Sequence, residues 1–540
     1  MKILALSLSL SLSLAATAVA AVGPDYHLPS APIPAAYRDL PADLGSWKSA
    51  TPSDGLARGA WWKIYGDDTL NDLETRALAA NQDLRAAVAR VDAARAAAGL
   101  ARSAYFPSVA LTPSLNRERT SETTDNRLPN SESTTYRGAL SASWEIDLFG
   151  RIRRQNESAR ADAEASAATL ESVQLALTAD VAANYFTLRG LATELTLVGN
   201  GVGLRRDVLK LINSRRSLGA ATDFDVARAE TELASTEAEA AALANRRSAI
   251  QNALAVLVGE PASSFTISTS NAQPSTLDVQ LSAPPAIPAG LPSQLLERRP
   301  DVAAAERALA SANARIGVAK AAFFPAISLT GGAGWASGDI DRLFNADSRI
   351  WSIGPSLYLP IFQGGRNQAN LARSRAAYDE AVAVFRQRVL IAFREVQDAL
   401  TATQLLAEQS AAQERALASA RRSGELAQKR YDSGYVNLLE VIDAQRTVLA
   451  TERASAQLAA QRLTTNVSLI KSIGGTWTAE PVATLSKPDR VAQPIRELNN
   501  SVSLIKSIGG TWTNDHVAQQ PEINHLIKLY ATTQPNLNPR

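Results

Sequence analysis

Nothing in this sequence is arranged for covalent chemistry. Cysteine is absent from all 540 residues, which removes thiolate nucleophiles, thiolate metal sites and disulfides. The histidines, His27, His516 and His525, fall in terminal segments without metal-ligand spacing and read as solvated side chains. There is no phosphate-binding glycine loop and no nucleophile elbow. The expectation from these residues is a protein that holds no cofactor or metal. Acidic side chains follow two of the glycines. Gly219 and Gly434 each break a helical pattern, and glycine there permits a left-handed turn. The helix restarting after Gly219 carries Asp225, and the one after Gly434 carries Glu440 and Asp443. Thr222-Asp-Phe-Asp225 and Asn437-Leu-Leu-Glu440 both have the form of a capping box. Capping accounts for Asp225 and Glu440 but not for Asp443, one turn deeper. The first-copy counterpart of Asp443 is Arg228.

These two glycine-acid segments are counterparts because the chain is a tandem duplication. Ser103-Ala-Tyr-Phe-Pro-Ser-Val-Ala-Leu-Thr112 returns as Lys320-Ala-Ala-Phe-Phe-Pro-Ala-Ile-Ser-Leu-Thr330. Trp144-Glu-Ile-Asp-Leu-Phe-Gly-Arg151 returns, loosely, as Leu357-Tyr-Leu-Pro-Ile-Phe-Gln-Gly-Gly-Arg366. The offset stays near 215 residues, too long for a small solenoid unit. Each copy has the same order of elements. A helical pattern runs from Trp61 to about Tyr105 and stops at Pro107. A period-two segment follows: in Tyr136–Leu148, Tyr136, Leu140, Trp144 and Ile146 alternate with Arg137, Ser141, Ser143 and Glu145. Val109, Leu111 and Leu115 mark its partner strand, across a polar loop from Arg117 to Thr134. In the second copy Ile327, Leu329 and Trp335 alternate, and so do Trp351, Ile353, Leu357 and Ile361. Strands of about ten residues with one apolar face are the pattern of an outer-membrane barrel. Long helical patterns then run over Arg151–Ser217, with glycines at 199, 201 and 203 where the helix could break, and over Asp223–Leu257. Their copies are Arg366–Ser433 and Leu438–Ile473, and such long alanine-rich helices point to coiled-coil packing. The arginine pairs at 205–206, 215–216 and 421–422 read as solvated faces.

Residues 1–20 read as an export signal: Lys2, an apolar run from Ile3 to Ala16, and an Ala18-Val-Ala20 cleavage site. The predicted organisation is a signal at 1–20, an extended segment at 21–60, a first repeat at 61–259 with its hairpin at about 107–149, and a linker at 260–290. The second repeat takes 291–478 with its hairpin at about 325–362. Residues 479–540 form a tail in which Val467–Thr478 recurs letter for letter at 502–513. A net charge of +2 gives no field for nucleic acid. No later segment is apolar enough for a membrane helix, so any membrane crossing must use strands.

Four motifs in this order carry a resemblance: Val22-Gly-Pro-Asp-Tyr26, Leu291-Pro-Ser-Gln-Leu-Leu-Glu-Arg-Arg-Pro-Asp301, Ala321-Ala-Phe-Phe-Pro-Ala-Ile-Ser-Leu329 and Lys429-Arg-Tyr-Asp-Ser-Gly434. Over residues 22–478 the chain resembles the TolC-like outer-membrane factors, in the multidrug-efflux branch that is usually lipidated. The resemblance implies a mainly α fold with β: a long helical barrel continuous with a transmembrane β-barrel, four strands from each protomer of a homotrimer. It implies a periplasmic adaptor docked at the hairpin tips around Gly219 and Gly434, an inner-membrane pump, and contact with outer-membrane lipid. It places Asp225, Glu440 and Asp443 at the pore gate, where three copies would crowd carboxylates on one axis and raise some of their pKa values. It matches Tyr431 to a tyrosine that binds hairpin to hairpin, and Arg228 becomes a latch candidate. The family's basic partner after the second tip is Val436 here, and the branch's lipidated cysteine is Ala20. The implied function is a passive efflux duct for drugs or other small solutes. The alternatives are an exit duct for secreted polypeptide and a periplasmic coiled-coil scaffold.

Overall fold

The computed structural model describes residues 21–30, 59–121, 123, 132–267, 284–285 and 299–475. The signal, most of the 260–290 linker and the tail with its 502–513 duplicate lie outside the described residues. The first regular element among the described residues is a 3-10 turn, Trp61–Tyr65, followed by α1 (Asp68–Ala80) and α2 (Gln82–Ser103). The single helix that periodicity predicts up to Tyr105 is therefore in three pieces. Two side chains make the breaks favourable by satisfying the free N–H groups of each new start. Asp67 Oδ1 accepts from Thr69 N at 3.0 Å and Leu70 N at 3.1 Å, and Asn81 Oδ1 accepts from Leu84 N at 2.9 Å. Asn81 also donates to Leu257 O at 2.9 Å, which fixes the break against a neighbouring helix.

Strands β1 (Ser108–Arg119), β2 (Glu132–Ile146), β3 (Ala326–Ser337) and β4 (Arg349–Tyr358) form one antiparallel sheet in sequence order. The first hairpin reaches further into the polar segment than its alternation suggests, because Arg117 pairs with Glu132 across the strands at 3.2 Å. The register puts Leu111, Leu140, Ala333 and Trp351 in one row and Val109, Ala142, Gly331 and Ile353 in the next. All these residues share a face, because residues directly opposite in a ladder point the same way. Ala110, Ser141, Gly332 and Ser352 make the other face. The apolar face is left uncovered by the described residues: Val109, Leu111, Leu115, Trp351, Ile353 and Leu357 are all exposed. Among the described residues, strands β1 and β4 each have one unpaired edge.

Helix α3 (Arg151–Ser217) follows β2, and α4 (Asp223–Val258) folds back along it. Helices α5 (Pro300–Ala321), α6 (Arg366–Asp432) and α7 (Leu438–Ser472) repeat the scheme around β3 and β4. Both α3 and α6 are unbroken over 67 residues, about 100 Å each. The glycines at 199, 201 and 203 do not interrupt α3. Packing on several sides supplies the support that propensity lacks. A Cβ at Gly190 would lie 2.5 Å from Ala460 Cβ, and one at Gly201 would lie 3.1 Å from Leu449 Cδ2, so α7 rides against these glycines. Near the sheet, α3 packs between α2 and α5; toward the tips it packs between α4 and α7.

The segment carrying Val22–Tyr26 straps the base of the helices. Val22 N donates to Phe149 O at 3.0 Å, Asn313 Nδ2 donates to Pro24 O at 3.1 Å, and the Arg154 guanidinium reaches Asp25 at 2.8 Å. Gly23 is required: at φ +128°, a Cβ there would fall 2.6 Å from Gly317 Cα.

Candidate functional site

The two hairpin tips are built alike. At the end of α3, Gly219 N donates to Arg216 O at 2.9 Å and Ala220 N to Arg215 O at 2.8 Å. At the end of α6, Gly434 N donates to Tyr431 O and Tyr435 N to Arg430 O, both at 2.9 Å. These are Schellman closures, with the glycines at φ +75° and +77°. Both glycines face open space, so backbone angle rather than crowding selects them.

The helix restarts differ. Thr222 and Asp225 form a reciprocal capping box, the carboxylate accepting from Thr222 N at 2.9 Å and from its hydroxyl at 2.7 Å. Those bonds hold the Asp225 carboxyl below its usual pKa, with Arg228 adding a smaller effect. Within one chain the direction is thus opposite to that of crowded acids; crowding acts only between copies. The second restart is half a box. Asn437 Oδ1 accepts from Glu440 N at 3.2 Å, while the Glu440 carboxylate turns to Arg430 at 3.9 Å. Asparagine caps as well as threonine, so the return bond is dispensable and a cation in the preceding helix captures the acid. Replacing Thr222 with alanine is expected to cost about 1 kcal/mol of first-turn stability. The readout is hydrogen exchange at the Asp225 and Val226 amides, and unchanged protection would count against the box.

Asp443, unexplained by capping, heads a chain of charges leading back up the hairpins. Arg446 Nη1 lies 3.8 Å from Asp443, its Nε lies 3.4 Å from Glu232 on α4, and Arg205 on α3 lies 3.9 Å from the same Glu232 oxygen. Glu232 thus bridges both hairpins. Neither Glu232 nor Arg446 stood out in the sequence, because Glu232 meets Arg205 and Arg446 only through the packing of separate helices. Arg228 makes no ion pair with any described residue. The Tyr431 hydroxyl is buried without a hydrogen-bond partner, and its ring lies 5.3 Å from the Arg215 guanidinium. Arg215, Arg228, Asp225, Phe224 and Tyr431 line a 530 Å³ groove between the tips. The arginine pairs are not simply solvated. Arg206 binds Glu237 at 2.9 Å, Arg216 binds Asp223 at 2.6 Å, and Arg421 binds Glu452 at 2.8 Å, each across its own hairpin. Leu218, Phe224 and Tyr435 are largely exposed at the tips, an apolar trio with no periodic or motif signal in the sequence.

Two hairpins of unbroken helix, a four-stranded sheet with an uncovered apolar face and a duplicated order are also what the comparisons return. The profile of the outer membrane efflux protein family matches residues 73–260 and 291–475, once per repeat. The chain belongs to the outer membrane efflux protein family. It is 33% identical to the cation efflux system protein CusC of Escherichia coli O6:H1 over 85% of this chain and 96% of that one. It is 35% identical to the solvent efflux pump outer membrane protein SrpC of Pseudomonas putida, over 84% and 95%. Among solved structures, the outer-membrane channel OprN superposes with a TM-score of 0.74 at 33% identity, over 84% of this chain and 99% of that one. The open-state MtrE channel of Neisseria gonorrhoeae gives 0.71 at 30% identity, over 84% and 98%. This efflux protein is accordingly an outer-membrane channel extending into the periplasm, and not an enzyme. Among the described residues no helix is long and apolar enough to cross a membrane.

Proposed function

We propose that three copies of this efflux protein pool their sheets into one twelve-stranded barrel, with the helices continuing it as a hollow periplasmic cylinder. The carrying observation is the sheet itself. One face is apolar and uncovered, the other is polar and small, and both outer strands lack a neighbour. An open sheet cannot sit in lipid with bare edges, and closure with further copies removes them. The cylinder's tips meet a periplasmic adaptor through Leu218, Phe224 and Tyr435 around Gly219 and Gly434, and an inner-membrane pump supplies the energy. Small solutes pass passively through a polar lumen. The relatives' cargoes, cations in one case and solvents in another, share no chemistry, so cargo choice belongs to the pump. Purified protein in detergent should be trimeric and conduct in planar bilayers, and a deletion strain should lose tolerance to part of a panel of antibiotics, detergents, dyes and solvents. A buffer-soluble monomer would overturn this reading and favour the scaffold.

Asp225, Glu440 and Asp443 form the acidic gate in this reading, with Arg228 and Tyr431 free to engage a neighbouring copy as its latch. The Asp443–Arg446–Glu232 chain ties the second tip to the first hairpin. Arg446→Ala is expected to raise single-channel conductance several-fold by releasing that tip, and Arg228→Ala to do so by unlatching the neighbour. Wild-type conductance in both variants, and in Asp443→Ala, would remove the gate from this site.

A further inference from the structure

The corner where sheet meets helix holds an aromatic contact that the duplication leaves half made. Phe149, between β2 and α3, stacks on Phe324, between α5 and β3, with ring centres 4.9 Å apart and planes at 23°. This contact joins the first repeat to the second. Each ring has a counterpart: Leu148-Phe149-Gly150-Arg151 corresponds to Ile361-Phe362-Gln363-Gly364-Gly365-Arg366, and Phe323-Phe324-Pro325 to Tyr105-Phe106-Pro107. The backbone turns correspond too, Phe106 N donating to Ser103 O and Phe324 N to Ala321 O, both at 3.0 Å. The counterpart rings do not meet. Phe362 is 89% exposed and Phe106 63% exposed, with Ile361 beside the former at 92%. Phe362 follows β4 and Phe106 precedes β1, so each stands at an unpaired edge of the sheet. Both lie on the same rim, since the β1 start pairs with the end of β2, and the β3 start pairs with the end of β4.

We propose that Phe362 of one copy stacks on Phe106 of the next, repeating between chains the Phe149–Phe324 contact made within each chain. The repeats are then related the same way inside a chain and across the junction, and the aromatic ring at the barrel base closes. Two exposed aromatic rings are covered in one step. The contact rests on the edge-to-edge assembly proposed above and specifies where that assembly grips.

The absence of native cysteine makes the test direct. A Phe106→Cys/Phe362→Cys double variant in outer membranes, treated with a short bis-maleimide, should give covalent dimers and trimers on a denaturing gel. Either single variant should stay monomeric on that gel. A double variant that is trimeric by light scattering in detergent yet yields no cross-linked species would overturn the corner contact and leave the trimer standing. Wild-type protein that is itself monomeric in detergent would sink the assembly, and the contact with it. A second measurement covers a double-cysteine variant that fails to assemble. Phe106→Ala and Phe362→Ala should each lower the temperature at which trimers dissociate, and together should lower it no further than either alone. Additive losses would overturn the contact.

Discussion

Replacing Arg453 with methionine is expected to cost about 3–5 kcal/mol, because it strands a buried carboxylate. Glu194 on α3 is 3% exposed at its side chain and accepts from Arg453 Nε at 2.9 Å and Nη2 at 2.7 Å. Gln457 adds a third bond at 2.9 Å. Arg453 also binds Glu239, so one guanidinium on α7 clasps α3 and α4 together. The pair itself is not the source of the cost. Taking two charges out of water roughly offsets their attraction, but removing the guanidinium leaves the carboxylate's desolvation balanced only by the Gln457 bond. The Arg453→Met/Glu194→Leu double variant should therefore recover most of the loss. Urea midpoints of the helical signal check this. A double variant as unstable as the single would refute the buried-charge explanation.

Removing Glu74 should have the opposite sign and depend on pH. This α1 residue is fully buried, and neither carboxylate oxygen has a partner. Burial alone lifts its pKa from 4.5 to about 9. The charged groups on surrounding elements are engaged elsewhere, Arg76 with Glu260 at 2.7 Å and Asp67 with Arg189 at 2.8 Å. Glu74 is thus a neutral acid in the fold and an anion in the unfolded chain. Below pH 4.5 both states hold the proton and nothing is lost. From there to pH 9, folding must take up a proton, and stability falls by about 1.4 kcal/mol per pH unit. At pH 7 the deficit is roughly 3 kcal/mol. Glu74→Leu should raise the thermal midpoint far more at pH 8 than at pH 5. An equal rise at both pH values would show that the carboxyl finds a charge-stabilising partner.

The elements that sequence reveals best are those governed by period and repetition. The alternation of Tyr136–Ile146 and the three-four spacing along Arg151–Ser217 are local, so the strands and long helices were legible. Helix breaks were less so. Asp67 and Asn81 end helices through bonds that compete with an otherwise continuous apolar stripe, and Asn81 is fixed by Leu257, far along the chain. The glycines at 199, 201 and 203 erred the other way, since tertiary packing overrides a local propensity penalty. At the tips the capping box at Thr222 was legible because it is closed within four residues. The redirection of Glu440 to Arg430 and the bridging of Glu232 were not, since each depends on how two helices are phased against each other.

The unbroken course of α3 through its glycines makes it a lever. A rod about 100 Å long that tilts by about 5° sweeps its far end through about 9 Å. A small rotation where helix meets sheet is enough to move a tip by the width of a helix, with no hinge anywhere between.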